Sequence, residues 1–543
     1  MSRDRGTVGA PRWEVPAVVL AAVVSMAVVA LASRRLWFLD DSWDFLTGRS
    51  PADPGDWLEP HAGHWQTTTV AAYHALKPLF GLDYWPWYFL PRLAGYAAFC
   101  VGVWYLLRRR GADPVLAFGA YGALTVLGLS GWHNLATVNN LVTLAVLYHT
   151  ALAVAARPSP TPRDLWTAGG LLTLALMSGS LALAAWAGVA AGVVVARQLR
   201  GWWPALAGSA AVYGSWWLGY GAGSGQTPDV TLGAVAAVPG GIFDVLRYSL
   251  PSLLALPDAA GPYLAAGLIA GMVWMALRGM IGPFEVALLT TLVVFLALVV
   301  IARIHPGQAF PNAERYGFNV GLLLLPVVVP HLRLPPVRFA VPAAAVVLAA
   351  VTAGNLADLA ERLDWWEDRA QASRAVVEAA GTVVARGEPA LPSAAVDPPR
   401  SGVLTADRLA GLLAGGWVPP PPVDPAVVAD VRARFRMRPL PGGTPRGTRP
   451  RTGHDLVDGC AAVGAGETLE AAVVGPGAIG LEGEQGSTIA LDWEDRFALA
   501  ARTVVLDDRF AGGAVVTLAA PVGPATLRVR ADGGVRVCGL APA

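Results

Sequence analysis

Two adjacent carboxylates, Asp40 and Asp41, follow an apolar segment long enough to cross a membrane, and Asp44 comes one helical turn later. Such a pair can hold a divalent cation (Mg²⁺ or Mn²⁺), with Asp41 as a ligand, or one carboxylate can act as a general base once burial raises its pKa. Four aromatic residues flank the pair: Trp37, Phe38, Trp43 and Phe45. Aromatic residues gather at the membrane–water interface, so we expect the pair at headgroup level. A solvated or helix-capping role is the alternative.

The same polar stretch ends with His61, His64 and Trp65. Histidines three residues apart share one face if the segment is helical. They can be metal ligands, although two histidines without a third ligand are a weak zinc signal. They can equally donate hydrogen bonds to the phosphate or sugar of a substrate, and the ring of Trp65 offers an apolar face for a sugar. The alternative to a binding role is an ordinary structured surface loop with polar caps.

A second polar group lies between two later apolar segments: Arg303, His305, Glu314, Arg315 and Tyr316. A guanidinium group binds phosphate oxygens through two parallel hydrogen bonds. We therefore expect Arg315, with Tyr316 beside it, to contact the phosphate of a lipid headgroup. The alternative is a structural ion pair of Arg315 with Glu314 or with the aspartates of the first loop.

The composition defines the elements that must position these residues. Of 543 residues, 54% are hydrophobic and 15% charged, and the mean hydropathy is +0.48. These values indicate a polytopic membrane protein, and the net charge of +1 offers no general surface for nucleic acid. Apolar segments approaching the roughly twenty residues of a membrane span are expected at eleven places: 15–32, 88–107, 115–129, 141–156, 165–177, 181–196, 205–220, 263–277, 286–301, 317–331 and 339–353.

The arginines predict which loops face the cytoplasm. With a cytoplasmic N-terminus, every loop on that side is short and carries arginine, as the positive-inside rule requires. Residues 177–180 are the weak point, because a single kinked helix there would reverse every later segment. Eleven spans place the polar loop 34–87, residues 221–262 and the C-terminal region outside. We expect a multi-pass protein of the plasma membrane.

The polar C-terminal region divides in two. Residues 354–454 predict one or two helices outside the membrane, followed by proline-rich linkers at 419–422 and 439–450. Residues 455–543 show short alternating runs between Gly and Asp turns, which predict a small all-β domain resembling a sandwich.

The first and last strands of this β region carry Cys460 and Cys538, and we expect a disulfide between them outside the cytoplasm. The predicted fold is therefore mainly α. It is a polytopic transmembrane bundle of about eleven helices over 1–353, with a C-terminal extracytoplasmic all-β domain.

The acidic pair after the first span, the PHAGHW sequence at 60–65 and the ERYGF sequence at 314–318 together resemble the integral-membrane glycosyltransferases of the GT-C superfamily. The resemblance covers the membrane region, and the Arg- and Ala-rich composition is typical of a bacterial genome rich in G and C. In that superfamily an acidic residue of the first extracytoplasmic loop is the catalytic base or helps to hold a metal. Asp40 or Asp41 would take that role, and Arg315 would hold the phosphate of a polyprenyl-phosphate sugar.

The resemblance implies an inverting hexosyl- or pentosyltransferase. It would use a lipid-linked sugar donor and a glycan or protein acceptor, with membrane lipid around it and the β domain binding acceptor glycan. Two other classes stay open: a non-enzymatic membrane protein of envelope assembly, such as a transporter or flippase, and a membrane-anchored carbohydrate-binding protein. The spans hold few ionisable residues apart from His149, which argues against an ion-coupled transporter.

Overall fold

The computed structural model describes residues 14–127, 139–441 and 460–542, apart from short gaps at 180, 225–229, 255, 306, 308–313, 335–338, 421–423 and in turns between 466 and 534. The described residues are mainly helical. The α-helices in chain order are α1 (Glu14–Ala32), α2 (Ser42–Thr47), α3 (Pro54–Leu58), α4 (Thr67–Phe80), α5 (Leu90–Arg109), α6 (Pro114–Leu127), α7 (Asn139–Ala156), α8 (Pro162–Leu176), α9 (Leu181–Val195), α10 (Leu199–Trp216), α11 (Leu232–Leu253), α12 (Gly261–Leu277), α13 (Pro283–Val299), α14 (Glu314–Val328), α15 (Ala340–Ala385), α16 (Pro398–Ser401), α17 (Ala406–Ala414) and α18 (Pro425–Arg436).

Among the described residues, four helices are long and apolar enough to cross a membrane: Glu14–Ala32, Trp85–Arg109, Asp258–Leu277 and Pro283–Ile304. Two of these include a π-helical turn, at Trp85–Phe89 and Val300–Ile304. A helix occupies each of the eleven apolar segments predicted above. Membrane-spanning helices therefore agree with the composition, while the crossing of the membrane by all eleven segments stays a prediction.

The chain divides into two compact units. The first comprises Met1–Arg34 and Pro51–Trp366, and the second comprises Arg35–Ser50 and Glu367–Ala543. The acidic segment thus belongs to the second unit, whereas the sequence pattern assigns it to the membrane domain of 1–353. Its aromatic residues explain the difference, because Trp43 is fully buried rather than presented to a membrane surface.

In the first unit, α9 and α13 pack closely through small residues. Gly188 faces Ala287 and Thr291, and Gly192 faces Pro283. A Cβ atom on Gly192 would lie 2.9 Å from the carbonyl oxygen of Pro283, and a Cβ atom on Gly188 would overlap with the carbonyl group of Ala287. Two glycines four residues apart let helix backbones approach each other, as in many membrane helix pairs. The order of the contacts makes the two helices antiparallel.

Gly188→Leu is expected to prevent the packing of α9 against α13, because the new side chain would meet backbone that cannot move aside. Gly188→Ala should cost about 1–3 kcal/mol of stability, the usual range for an overfilled core. The matched control is Gly271→Leu on α12, where a Cβ atom meets nothing within 4 Å. The measurements are the yield of monodisperse protein and its melting temperature in detergent. Equal behaviour of the two leucine variants would contradict the close packing.

Helices α8 and α10 run in the same direction. Gly169 of α8 faces Ala205 of α10, and Gly201 near the start of α10 faces Pro160 just before α8. Helix α9 connects them and therefore runs the opposite way. The chain reverses at Gly179, whose φ of 143° is open to glycine alone. Two helices, and not one kinked helix, occupy this region.

Ion pairs bring three helix ends of the first unit together. Glu14, at the start of α1, is fully buried; its carboxylate lies 2.7 Å from Arg108 Nε and accepts the indole N–H of Trp104 at 3.0 Å. Arg110, just after α5, pairs with Glu285 in the first turn of α13. The start of α1, the end of α5 and the start of α13 thus lie at one end of the first unit.

Several helices differ from the sequence expectation, and one of them, α4, lies within the predicted polar loop 34–87. Helix α11 lies within 221–262, which the pattern assigns to a loop because Pro239 and Pro251 interrupt it. It packs against α12, α13 and α14, so tertiary contacts outweigh the two prolines. Helix α15 runs without a break from Ala340 to Ala385, where the pattern predicts a span followed by one or two separate helices.

The second unit has ordered structure directly after α15. Strands β1 (Ala395–Asp397) and β2 (Gly402–Thr405) pair antiparallel, and α17 and α18 follow them. Residues 439–441, predicted as part of a proline-rich linker, belong to β3 (Met437–Pro441). The remainder of that linker, 442–450, lies outside the described residues.

The later strands form two antiparallel sheets, in the orders β5-β10-β7-β8 and β3-β9-β6-β11-β4. These strands are β4 (Cys460–Val463), β5 (Thr468–Val473), β6 (Gly477–Gly483), β7 (Thr488–Glu494), β8 (Leu499–Val505), β9 (Ala514–Leu518), β10 (Ala525–Ala531) and β11 (Val535–Pro542). Alternate residues such as Ile479, Leu481, Ile489 and Leu491 belong to one hydrophobic core. Alternation of this kind is typical of sheets with one buried face. A separate extracytoplasmic β-sandwich domain stays a prediction.

Strands β4 and β11 pair with Cys460 directly opposite Cys538. Cys538 is disulfide-bonded, and Cys100 is free and buried. The register therefore agrees with the predicted link between Cys460 and Cys538.

Thiol titration of the denatured, unreduced chain is expected to label Cys100 alone. Reduction should expose all three cysteines of the sequence. Labelling of three thiols without a reductant would contradict the Cys460–Cys538 disulfide.

Candidate functional sites

The two histidines of the first unit lie in a β-turn and not on a helix, so the condition for a shared helical face is not met. The amide N–H of His61 donates to the carbonyl of His64, and the amide of His64 donates back, both at 2.9 Å. Ala62 and Gly63 at the corner have φ angles of 49° and 78°. Positive φ at both central residues is the type I′ geometry that closes a tight hairpin. Directly paired residues present their side chains on the same face, so the turn keeps the two imidazoles together.

Arg303 lies near this turn. It sits in the π-helical turn Val300–Ile304 that extends α13. Burial, the positive charge of Arg303 and the neighbouring His61 lower the pKa of His64 to about 4. His64 is therefore neutral at pH 7, where its imidazole can both donate and accept a hydrogen bond. His305 follows Arg303, and its exposed ring lies beside Gly233 at the start of α11.

The low pKa of His64 predicts a specific pH dependence of stability. The unfolded chain protonates this histidine below pH 6.5, but the folded protein does so only near pH 4. The free energy of unfolding should therefore decrease by up to about 3 kcal/mol as the pH falls through this window. His64→Gln should remove that part of the decrease in melting temperature between pH 6.5 and 4.5. His149→Gln, at an exposed position of α7, is the matched control. An unchanged slope in His64→Gln would contradict the burial of a neutral His64.

Trp65 anchors the turn. Its side chain is only 5% exposed, and its ring stacks on Trp216 at the end of α10, with centroids 5.1 Å apart and planes at 2°. Its indole N–H donates to the hydroxyl of Thr67 at 2.6 Å, and Thr67 donates to the carbonyl of Trp57 at 2.6 Å. One face of the ring is thus already covered, so stacking of a sugar would be limited to the other face.

Tyr316 and Arg315, the predicted phosphate ligands, both lie in the first turn of α14. Tyr316 is 3% exposed, with its ring edge toward Phe295 at 6.5 Å between centroids. Arg315 lies in the first turn of α14, and its side chain is outside the described residues. The structure thus brings together His61, His64 and Arg303 and packs Tyr316 into the helical core.

The acidic pair of the second unit lies at a tight turn before α2. Asp40 has a φ of 45°, and its amide N–H donates to the carbonyl of Arg400 at 2.9 Å. Asp41 is the residue that precedes α2 and its side chain is exposed, whereas the Asp40 side chain is 48% exposed and therefore partly buried. Arg369 Nη2 lies 3.3 Å from a carboxylate oxygen of Asp40. The backbone of the turn and the contact with Arg369 together position the Asp40 carboxylate.

The pKa of Asp40 lies above its usual value of 3.8. Partial burial is the main cause, Arg369 opposes it, and the negative charges of Asp41 and Asp397 add to it. A carboxylate with a raised pKa is a better proton acceptor than an ordinary surface aspartate. Asp40 is therefore the stronger candidate base of the pair.

Asp44 forms ion pairs within the second unit. Its two carboxylate oxygens each contact an arginine, Arg49 and Arg408, both at 3.3 Å. The aromatic residues around it pack on one another, since the ring centroid of Trp43 lies 5.2 Å from that of Trp37 and 5.6 Å from that of Phe38. All three rings are buried, which does not fit the prediction that they mark a headgroup level.

Sequence reasoning missed Arg369, Arg400 and Arg408, the arginines that contact the acidic segment. Arg369 lies 329 residues from Asp40 along the chain, so no spacing could reveal the pair. The only sequence signal was that arginines recur in 362–374, next to the aromatic pair Trp365 and Trp366.

Within the part of the chain that the structure describes, no group of three or more His, Cys, Asp or Glu side chains could hold a metal ion. The assignment of Asp41 to a magnesium or manganese site stays a prediction, with one neighbouring carboxylate in its support. Comparisons with protein-family models, with curated proteins and with solved structures found no match.

Proposed function

We propose that this protein is an integral-membrane glycosyltransferase of the GT-C type. It transfers a sugar from a polyprenyl-phosphate donor to a glycan or protein acceptor outside the cytoplasm. The observation that carries the proposal is the group formed by Arg303, His61 and His64 at the end of the apolar helix Pro283–Ile304. A cation beside two imidazoles at the end of a membrane-length helix suits a lipid-linked phosphate.

Arg303 supplies the charge of this phosphate site. Its guanidinium group can bind two phosphate oxygens at once, and it remains protonated at every physiological pH. His64, neutral at pH 7, donates a further hydrogen bond without adding a second positive charge beside Arg303. Arg315 keeps its proposed role as an additional phosphate ligand, since its backbone begins α14 in the same unit.

Asp40 is the proposed catalytic base. In the reaction, the oxygen of the acceptor hydroxyl bonds to the anomeric carbon of the sugar while the bond from that carbon to the phosphate oxygen breaks. The electron pair leaves with the polyprenyl phosphate, the hydroxyl proton moves to Asp40, and the configuration at the anomeric carbon inverts. A cation at the phosphate stabilises the charge on the leaving group.

The contacts of the first unit support the proposed topology with a cytoplasmic N-terminus. The Glu14–Arg108 and Arg110–Glu285 pairs group helix ends that the topology places in the cytoplasm. The amide of Thr68 donates to the carbonyl of Met177 at 3.3 Å, which joins two segments that the topology places outside. In this proposal eleven helices cross the membrane and the two C-terminal sheets form an outer domain that binds acceptor glycan.

Binding of polyprenyl phosphate to the purified full chain tests the phosphate site. Arg303→Gln should weaken binding roughly tenfold or more, since hydrogen bonds to a charged group contribute about 1.5–3 kcal/mol. Arg303→Lys should retain part of the affinity through its charge. The matched control is Arg333→Gln, at an exposed position five residues after the end of α14. Wild-type affinity in Arg303→Gln would remove the basis of the proposal.

A further inference from the structure

An apolar groove of about 450 Å³ lies between α5 and α7 in the first unit. Its walls include small residues of α5 and apolar residues of α7: Gly95, Ala98 and Gly102, with Leu141, Val142 and Ala145. Arg109 is the one charged residue among the residues that line it. The volume falls in the range of small-molecule sites in proteins, and the lining selects for hydrocarbon.

The groove extends over somewhat more than the length of one membrane leaflet. Gly95 and Arg109 are fourteen residues apart on α5, which corresponds to about 21 Å along the helix. The hydrocarbon of one leaflet is about 15 Å thick, half of the core of a bilayer. Arg109 is the last residue of the apolar helix Trp85–Arg109, so its guanidinium belongs at the level of the headgroups.

The three consecutive arginines at this helix end have different partners. Arg108 pairs with the buried Glu14, and Arg110 pairs with Glu285. Arg109 between them is exposed and makes no ion pair with any residue that the structure describes. The fold therefore neutralises the two outer arginines and leaves the charge of the middle one at the mouth of the groove.

We propose that this groove binds one acyl chain of an anionic phospholipid and that Arg109 holds the phosphate of its headgroup. The apolar walls accept the chain, and the cation at the end accepts the negative charge. The positive-inside topology places this end at the cytoplasmic leaflet, where anionic lipids are concentrated. This lipid site lies on α5 and α7, takes no part in the sugar transfer proposed above, and stands independently of it.

Two variants separate the contributions of chain and headgroup. Gly102 lines the groove and a Cβ atom there meets nothing within 4 Å, so Gly102→Phe is designed to place a ring in the groove. Arg109→Gln removes the charge from an exposed position. The matched controls are Gly271→Phe on α12 and Arg200→Gln on α10, neither of which lines the groove.

The experiment counts phospholipid retained by the full chain in detergent, by native mass spectrometry, after exposure to phosphatidylglycerol or phosphatidylcholine. The wild type should retain phosphatidylglycerol about fivefold better than phosphatidylcholine, the effect of one arginine near a membrane surface. Arg109→Gln should lose this preference, and Gly102→Phe should lose retention of both lipids. Unchanged retention in Gly102→Phe, or an unchanged preference in Arg109→Gln, would overturn the proposal. If Gly102→Phe is not monodisperse, Arg109→Gln alone decides it.

Discussion

Asp40→Asn is expected to lower the turnover of sugar transfer by about 10²–10⁴-fold, the usual contribution of a general base. The amide keeps the shape of the side chain and its neighbours Arg369 and Arg400, but it cannot accept the hydroxyl proton. The affinity for the donor should not change, because the proposed phosphate ligands are Arg303 and His64 and not Asp40. Turnover is measured as polyprenyl phosphate released by the purified full chain.

The pH profile distinguishes this role from a structural one. Wild-type turnover should rise as the pH increases through the pKa of Asp40, which burial holds above 3.8. Asp41→Asn is the matched control, since Asp41 is exposed and lies next to Asp40 at the same turn. If Asp41→Asn loses turnover and Asp40→Asn does not, the base is Asp41. If neither variant loses it, the acidic pair is not catalytic.

The second large effect concerns stability. Glu388→Ala is expected to lower the free energy of unfolding of the second unit by about 3–5 kcal/mol, because it leaves two arginines without their shared carboxylate. The Glu388 side chain is fully buried. Each of its two carboxylate oxygens accepts a hydrogen bond from Arg432 at 2.8 Å, and one of them also lies 3.2 Å from Arg436. The Arg436 side chain is fully buried too.

A thermal melt of the full chain measures this effect. The matched control is Glu378→Ala on α15. It removes an ion pair in which Arg374 Nε lies 2.7 Å from the Glu378 carboxylate and the Arg374 side chain is about half exposed. A surface pair of this kind contributes less than about 1 kcal/mol. The Glu388→Ala variant should melt roughly 10 °C lower than the control. Equal melting temperatures would contradict a structural role for the buried triad.

The positions of the apolar helices are the part of the fold that the sequence predicts well, since a helix occupies each apolar segment. Their apolar segments are long, and burial or lipid contact is the dominant energy in each of them, so composition alone marks them. The sequence pattern did not predict helix α11, because Pro239 and Pro251 lower the local helix propensity. Contacts with three other helices stabilise it in the fold. Gly188 and Gly192 are four residues apart in the sequence, which alone does not predict helix packing. Their role in the close approach of two helices is visible only in the structure, where Ala287 and Pro283 face them.

The candidate sites were harder to predict for a different reason. The spacing of His61 and His64 fits a helix or a tight turn equally well, and Gly63 at the second central position was the local sign of the turn. The partners of the aspartates come from the far end of the chain, as with Arg369 and Asp40. Charge pairs between distant segments depend on the tertiary fold, which no local pattern encodes.

Dependence of sugar transfer on the acidic pair can be tested in cells without knowledge of the sugar. Cells that lack this gene are complemented with the wild type or with the double variant Asp40→Asn/Asp41→Asn at equal levels in the membrane, and the glycan composition of the envelope is measured. We expect the deletion to change that composition, the wild type to restore it and the double variant to leave it changed. Full restoration by the double variant would contradict catalysis by this pair.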